Sequence, residues 1–195
     1  MKLRICVTFW VQISRKSQKE WVTTRGLVIV FLRAGIGYGG SCFPKDTKAL
    51  HWLAEDHGFV LRTIEAAIKI NEKQKYLLLH KLRQEMPTVA GKKIAVLGLT
   101  FKPNTDDLRE APSIPNIKVL QKEGAIIQAY DPIAMAQTAE ELGDASIMKD
   151  SIEAALEGAD ACLIFTEWDE IRAIAPDTFK KMDGKSNRVR RPKLF

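Results

Sequence analysis

The sequence predicts an α/β fold, a doubly wound parallel sheet in its second half preceded by a long helical segment. Two observations carry this. After Gly91, short apolar runs alternate with amphipathic stretches bounded by Gly, Pro and Asp, the pattern of parallel strands joined by helices. Before it, Leu61, Ile64, Ile68, Leu78 and Leu82 recur at helical spacing up to Pro87.

Taken in order, residues 1–30 show neither a clean helical nor a clean strand period. Gly35–Cys42 is a glycine-dense loop, and Phe43-Pro44 is expected to stop any helix from starting earlier. Asp46 or Thr47 then caps a helix through Leu50, Leu53 and Ala54 to Gly58. A second helix is expected from about Leu61 to Met86. It is long for a globular helix, and its apolar stripe suggests packing against a partner, hence a homodimer. Lys93–Gly98 reads as a buried strand, Pro115–Glu123 as a helix and Ala125–Tyr130 as a strand. Ala134–Leu142 and Ser151–Glu157 read as helices, the latter capped by Asp150 or Ser151, and Ala161–Phe165 as a third strand. The loops after the strands (Thr100–Arg109, Asp131-Pro132 and Thr166–Trp168) should line one crevice.

Length and composition suit a soluble globular chain of 195 residues, 46% hydrophobic and 28% charged. No apolar run is long enough to cross a bilayer, and no signal-peptide pattern opens the chain. Cys6, Cys42 and Cys162 form neither a metal-ligand spacing nor an even disulfide set, so no metal is expected and a reducing, cytoplasmic location fits. The formal charge is +6, yet residues 1–33 and 180–195 each contribute +6, which leaves −6 for residues 34–179. The body is acidic and lacks a basic groove with interleaved aromatics, so nucleic acid is not an expected partner.

The most informative stretch is Gly35-Ile-Gly-Tyr-Gly-Gly-Ser-Cys-Phe-Pro-Lys-Asp46. Its glycines let backbone N–H groups approach a ligand closely. Cys42 closes the loop with Lys45 and Asp46 following, and a nearby ammonium would favour thiolate, the nucleophilic form. Taken alone, such a cysteine reads more readily as a small buried hydrophobe beside a helix cap. The full string resembles the active-site loop of the UDP-glucose/GDP-mannose dehydrogenase family, its glucose-oxidising branch above all. The resemblance continues through Phe101-Lys-Pro-Asn-Thr-Asp-Asp-Leu-Arg-Glu-Ala-Pro-Ser113, Tyr130-Asp-Pro132 and Thr166-Glu-Trp168, covering about residues 31–181 in family order.

That resemblance implies a Rossmann-like nucleotide-sugar domain over residues 91–181, a segment of catalytic loop and central helices over 31–90, and NAD as cofactor. It implies Cys42 as the nucleophile that attacks a C6 aldehyde, giving a thiohemiacetal and then a thioester that water hydrolyses. Asp46 matches the residue that positions or activates that water, and Lys45 a neighbouring active-site lysine. Gly37, Tyr38, Gly39, Gly40, Phe101 and Lys102 match substrate-binding positions, and Arg109 an arginine contacting cofactor. GDP-mannose oxidisers share much of both strings, so the sugar is less sharply specified than the family. Read without the resemblance, Lys102 and Arg109 are solvated loop charges, Asp106 and Asp107 turn residues or caps, and Glu167 structural. His51, His57 and His80 read as surface or packing residues, and Cys162 as core. G-x-G-x-x-G is absent throughout, so no dinucleotide site can be argued from this chain. The family's NAD domain is expected to be missing, and the chain to lack turnover by itself.

The ends carry one more expectation. Codons can be chosen for Arg15–Leu27 so that reading from each third base gives E-V-A-K-G-M-G-H-N-S-R-I, the family segment preceding the catalytic loop. Codons for Met182–Leu194, read one base later, can give W-M-G-N-P-I-V-Y-D-G-R-N-C. Residues 1–30 and 182–195 are therefore read as frameshifted stretches flanking the family sequence.

Overall fold

The computed structural model describes residues 5–7, 35–175 and 178–179. The two stretches read as frameshifted lie almost wholly outside the described residues. The exception is a short strand, β1 (Ile5–Val7), in a region whose sequence shows no strand period.

Helix α1 spans Cys42–Asp56, beginning before Asp46 rather than after it. The expectation that Pro44 blocks an earlier start fails because proline sits in the first turn, where its missing N–H has no helical acceptor anyway. Thr47 does not cap. Its hydroxyl donates back to the Phe43 carbonyl at 2.6 Å. The expected long helix is two, α2 (Arg62–Gln74) and α3 (Leu77–Glu85), separated by Lys75-Tyr76. The cause is at Lys75. Its side chain turns into the protein, and its carbonyl accepts from Asn116 Nδ2 at 2.8 Å.

Four strands form one sheet in the order β1-β4-β2-β3, all parallel, with β2 Lys93–Leu97, β3 Ile126–Tyr130 and β4 Ala161–Ile164. Between them lie α4 (Ser113–Lys122), α5 (Met135–Leu142) and α6 (Ile152–Leu156), and α7 (Asp169–Arg172) follows β4. Ser151 caps α6, its Oγ accepting from the Ala154 amide at 3.1 Å. Successive residues of β2 serve opposite faces. Ile94 and Val96 join a core with Leu78, Leu82, Ile117 and Leu120, while Ala95 and Leu97 join one with Leu156, Cys162, Trp168 and Ile171. Burial on both faces explains why β2 reads as a continuous apolar run. The sheet's carboxyl edge thereby becomes the rim onto which the cysteine loop docks.

Candidate active site

The glycine loop is held from two sides. From below, Asn71 of α2 pairs with the Tyr38 backbone in both directions: the Tyr38 amide donates to Oδ1 at 2.8 Å, and Nδ2 donates to the Tyr38 carbonyl at 3.0 Å. Gly37 is obligatory beside it, since a Cβ there would stand 2.5 Å from Asn71 Oδ1 on a backbone at φ 105°. From the other side, the Gly40 amide donates to the Arg109 carbonyl at 2.8 Å. A Cβ at Gly39 would meet the Glu110 carbonyl at 2.8 Å, and one at Gly40 the Phe101 ring at 2.8 Å. Phe101 is therefore a plate under the glycines, with Lys102 Nζ above its ring at 5.2 Å.

Cys42 is exposed and opens α1, where unpaired helical N–H groups favour a negative charge. Ser41 Oγ lies 3.7 Å from its sulfur. Lys45 and Asp46, both exposed, pair with each other at 3.4 Å. Arg109 grips Asp107 through Nε at 2.9 Å and Nη2 at 2.8 Å. That grip raises the guanidinium's pKa and lowers the Asp107 carboxyl's. The expected site residues thus gather at one rim: Gly37–Gly40 and Cys42 from one segment, Phe101, Lys102 and Arg109 from the other.

Residues that the sequence reading passed over hold this rim. Glu110 adopts φ 56°, a left-handed conformation unusual outside glycine. Its carboxylate accepts from Lys75 at 2.5 Å and from Lys48 of α1 at 3.4 Å. Lys75 also donates to Glu72 at 3.0 Å. Burial acts to lower the Lys75 pKa, but the two carboxylates outweigh it and hold the ammonium above its ordinary value. Lys75 in turn pulls Glu110 below its own.

The expected crevice-lining loops are tied mainly to one another. Asp131, fully buried, accepts from the Leu99 amide at 2.7 Å, Trp168 Nε1 at 3.0 Å, and the Ile133 and Ala134 amides at 3.0 and 2.9 Å. Thr166 Oγ1 donates to the Thr100 carbonyl. Burial, reinforced by Glu170, pushes the Tyr130 phenol up to about 12. Among the described residues no cluster of His, Cys, Asp or Glu could hold a metal, and no helix is long and apolar enough to cross a membrane. After β2 the single glycine, Gly98, is filled over by Thr166, whose carbonyl a Cβ would meet at 2.6 Å.

Fold and site together define a parallel α/β unit with a cysteine-bearing glycine loop docked at its rim. Residues 95–191 match the UDP binding domain of the UDP-glucose/GDP-mannose dehydrogenase family, and residues 19–73 match that family's central domain. The chain belongs to the UDP-glucose/GDP-mannose dehydrogenase family. It is 49% identical over 142 residues to the UDP-glucose 6-dehydrogenase TuaD of Bacillus subtilis, covering 73% of this chain and 31% of that protein. With the UDP-glucose 6-dehydrogenase of Rhizobium meliloti it shares 46% identity over 151 residues, 77% of this chain and 34% of the relative. A UDP-glucose dehydrogenase structure from Pyrobaculum islandicum superposes with a TM-score of 0.76 at 30% identity, over 83% of this chain and 37% of that one. The chain thus spans about a third of the length of the relatives it matches.

Proposed function

We propose that this chain is the catalytic-cysteine and nucleotide-sugar portion of an NAD-dependent dehydrogenase that oxidises UDP-glucose to UDP-glucuronate. Cys42 adds to the C6 aldehyde as a thiohemiacetal, and the second oxidation gives a thioester that water hydrolyses. Asp46 positions that water, with Lys45 beside it. The sulfur retains the intermediate between the two oxidations, so no free aldehyde escapes. The observation that carries the reading is the docking of the Cys42 loop onto Phe101 and Arg109, segments that belong to separate motifs of one family. Gly37–Gly40, Phe101 and Lys102 are read as the substrate contacts and Arg109 as a cofactor contact. NAD supplies a hydride acceptor when bound. The described residues offer it Arg109, besides the sulfur and the nucleotide-sugar contacts.

The sheet is read as doubly wound and the chain as a cytoplasmic homodimer joined through the α2–α3 segment, where Ile70 is 63% exposed. By itself the 195-residue polypeptide is expected to bind UDP-glucose without turnover. Calorimetry with UDP and UDP-glucose, beside an assay for NAD reduction, tests this. Saturable UDP-glucose binding with no NADH supports the reading. NADH formation by the isolated chain refutes the inactivity, and failure to bind UDP or UDP-glucose refutes the substrate assignment.

A further inference from the structure

We propose that Asn71 and Lys75, one helical turn apart at the end of α2, are positioning residues that dock two loops onto one helix and so keep the Cys42 loop on the Arg109–Glu110 backbone. The inference rests on Cys42 being the nucleophile. It assigns a role to two residues that the proposed chemistry does not use.

Asn71 is 6% exposed and Lys75 8%, although both are polar. An unpaired buried amide or ammonium is costly, so each must be satisfied where it sits. Asn71 meets the need by treating Tyr38 as a strand would, with one donor and one acceptor to the same backbone unit. That fixes the glycine loop four residues before Cys42. Lys75 meets it with Glu72 and Glu110. Glu110 follows Arg109, whose carbonyl receives the Gly40 amide. A closed circuit results: α2 to Tyr38, Gly40 to Arg109, Glu110 to Lys75, and Lys75 back to α2. Lys48 joins Glu110 from α1, the helix that Cys42 opens. Within the circuit Glu110 is kept at φ 56°, a conformation that persists only where surrounding contacts over-determine it.

Undocking either prong should let the two loops drift apart, and the local field at the sulfur reports that movement. Alkylation of Cys42 by iodoacetate, an anion, is helped by a nearby guanidinium, whereas alkylation by neutral iodoacetamide is not. The ratio of the two rates, read by mass spectrometry on the Cys42 peptide of the full chain, is the measurement. Asn71→Ala alters no charge, so a fall in the ratio means that the cations facing Cys42 have moved relative to its sulfur. We expect a fall of about twofold, less than the roughly fivefold of a free unit charge at about 4 Å in water, because Asp107 offsets part of the guanidinium's charge. Lys75→Met should lower the ratio too, and Lys75→Arg, which can still pair with both carboxylates, should restore it.

Circular dichroism identifies which variants fold. If Asn71→Ala is unfolded, the Lys75 pair decides. Folded Asn71→Ala or Lys75→Met protein with the wild-type ratio overturns the proposal, as does Lys75→Arg behaving like Lys75→Met. The experiment uses no nucleotide. A chain that fails to bind UDP-glucose would therefore sink the substrate reading without touching this result.

Discussion

The Gly40 amide donates to the Arg109 carbonyl across 2.8 Å, and this bond joins the cysteine loop to the loop after β2. It forms because Gly40 takes φ 78° and carries no Cβ, which lets the backbone lie on the Phe101 ring. Gly40→Ala should therefore combine left-handed strain with a Cβ only 2.8 Å from the Phe101 ring, costing roughly 2–4 kcal/mol. Gly143→Ala supplies the comparison, with a similar φ of 66° and open space around it, and should cost only about 1 kcal/mol. Urea unfolding of both variants checks this. Equal losses would mean that the glycine loop is not packed on Phe101.

Asp131 makes a second, independent prediction. Its carboxylate gathers four donors from the ends of β2, β3 and β4 and is fully buried. Asp131→Ala strands those donors and should destabilise by ~3–5 kcal/mol. Asp131→Asn keeps one acceptor oxygen and should cost less. Trp168 loses its carboxylate acceptor in the alanine variant, and in a chain whose other three tryptophans are replaced by Phe its emission should shift to the blue. Unchanged emission in a folded Asp131→Ala protein would remove Asp131 as the tie between these loops.

Much of this was readable in the residues, and the failures share a cause. The strands announced themselves because β2 and β4 are buried on both faces and so apolar without interruption. The cysteine loop was found because glycines, cysteine and proline occur in an unusual order. The break after Gln74 was missed because Leu61–Leu82 keeps its period through it. Yet a signal was there. Positions 64, 68, 71, 75, 78 and 82 form one helical stripe, and two of them are Asn and Lys. Polar residues on a buried stripe mark sites where a side chain must find partners. Which partners could not be read, since Tyr38 and Glu110 are distant in sequence and are brought together only by the fold. Asp131-Pro132 is legible only as a loop after the second strand, and the part of Asp131 in joining three strand ends is a tertiary fact.

The Lys75–Glu110 pair fixes a pH dependence with a definite sign. Glu110 titrates below its ordinary 4.5 in the folded protein, so its contribution is present above that value and lost as pH falls through the lowered one. Lys75 titrates above its ordinary 10.5, so its contribution holds below that value and disappears at still higher pH. The stability difference between the wild type and Glu110→Gln should be flat through neutral pH and shrink in acid below about pH 4.5. Denaturant titrations from pH 3 to 8 test it. A difference that stays constant into acid would show that the charge of Glu110 contributes nothing.

The flanking stretches give the last prediction. We propose that residues 1–30 and 182–195 include sequence read in a shifted frame. Alternate-frame readings of Arg15–Leu27 and Met182–Leu194 can yield family-like strings at the places where the family pattern requires them. The rival is divergent family sequence in the proper frame. The family matches reach outward to residue 19 and residue 191, which gives that rival some footing. Codon degeneracy allows the alternate strings without requiring them, so the nucleotide sequence decides. The expected codons for Met182–Leu194 spell W-M-G-N-P-I-V-Y-D-G-R-N-C one base later, and those of Arg15–Leu27 spell E-V-A-K-G-M-G-H-N-S-R-I from each third base. Codons incompatible with both would refute the idea. A repaired frame should then match its relatives through these segments as well as it does from Gly35 to Trp168.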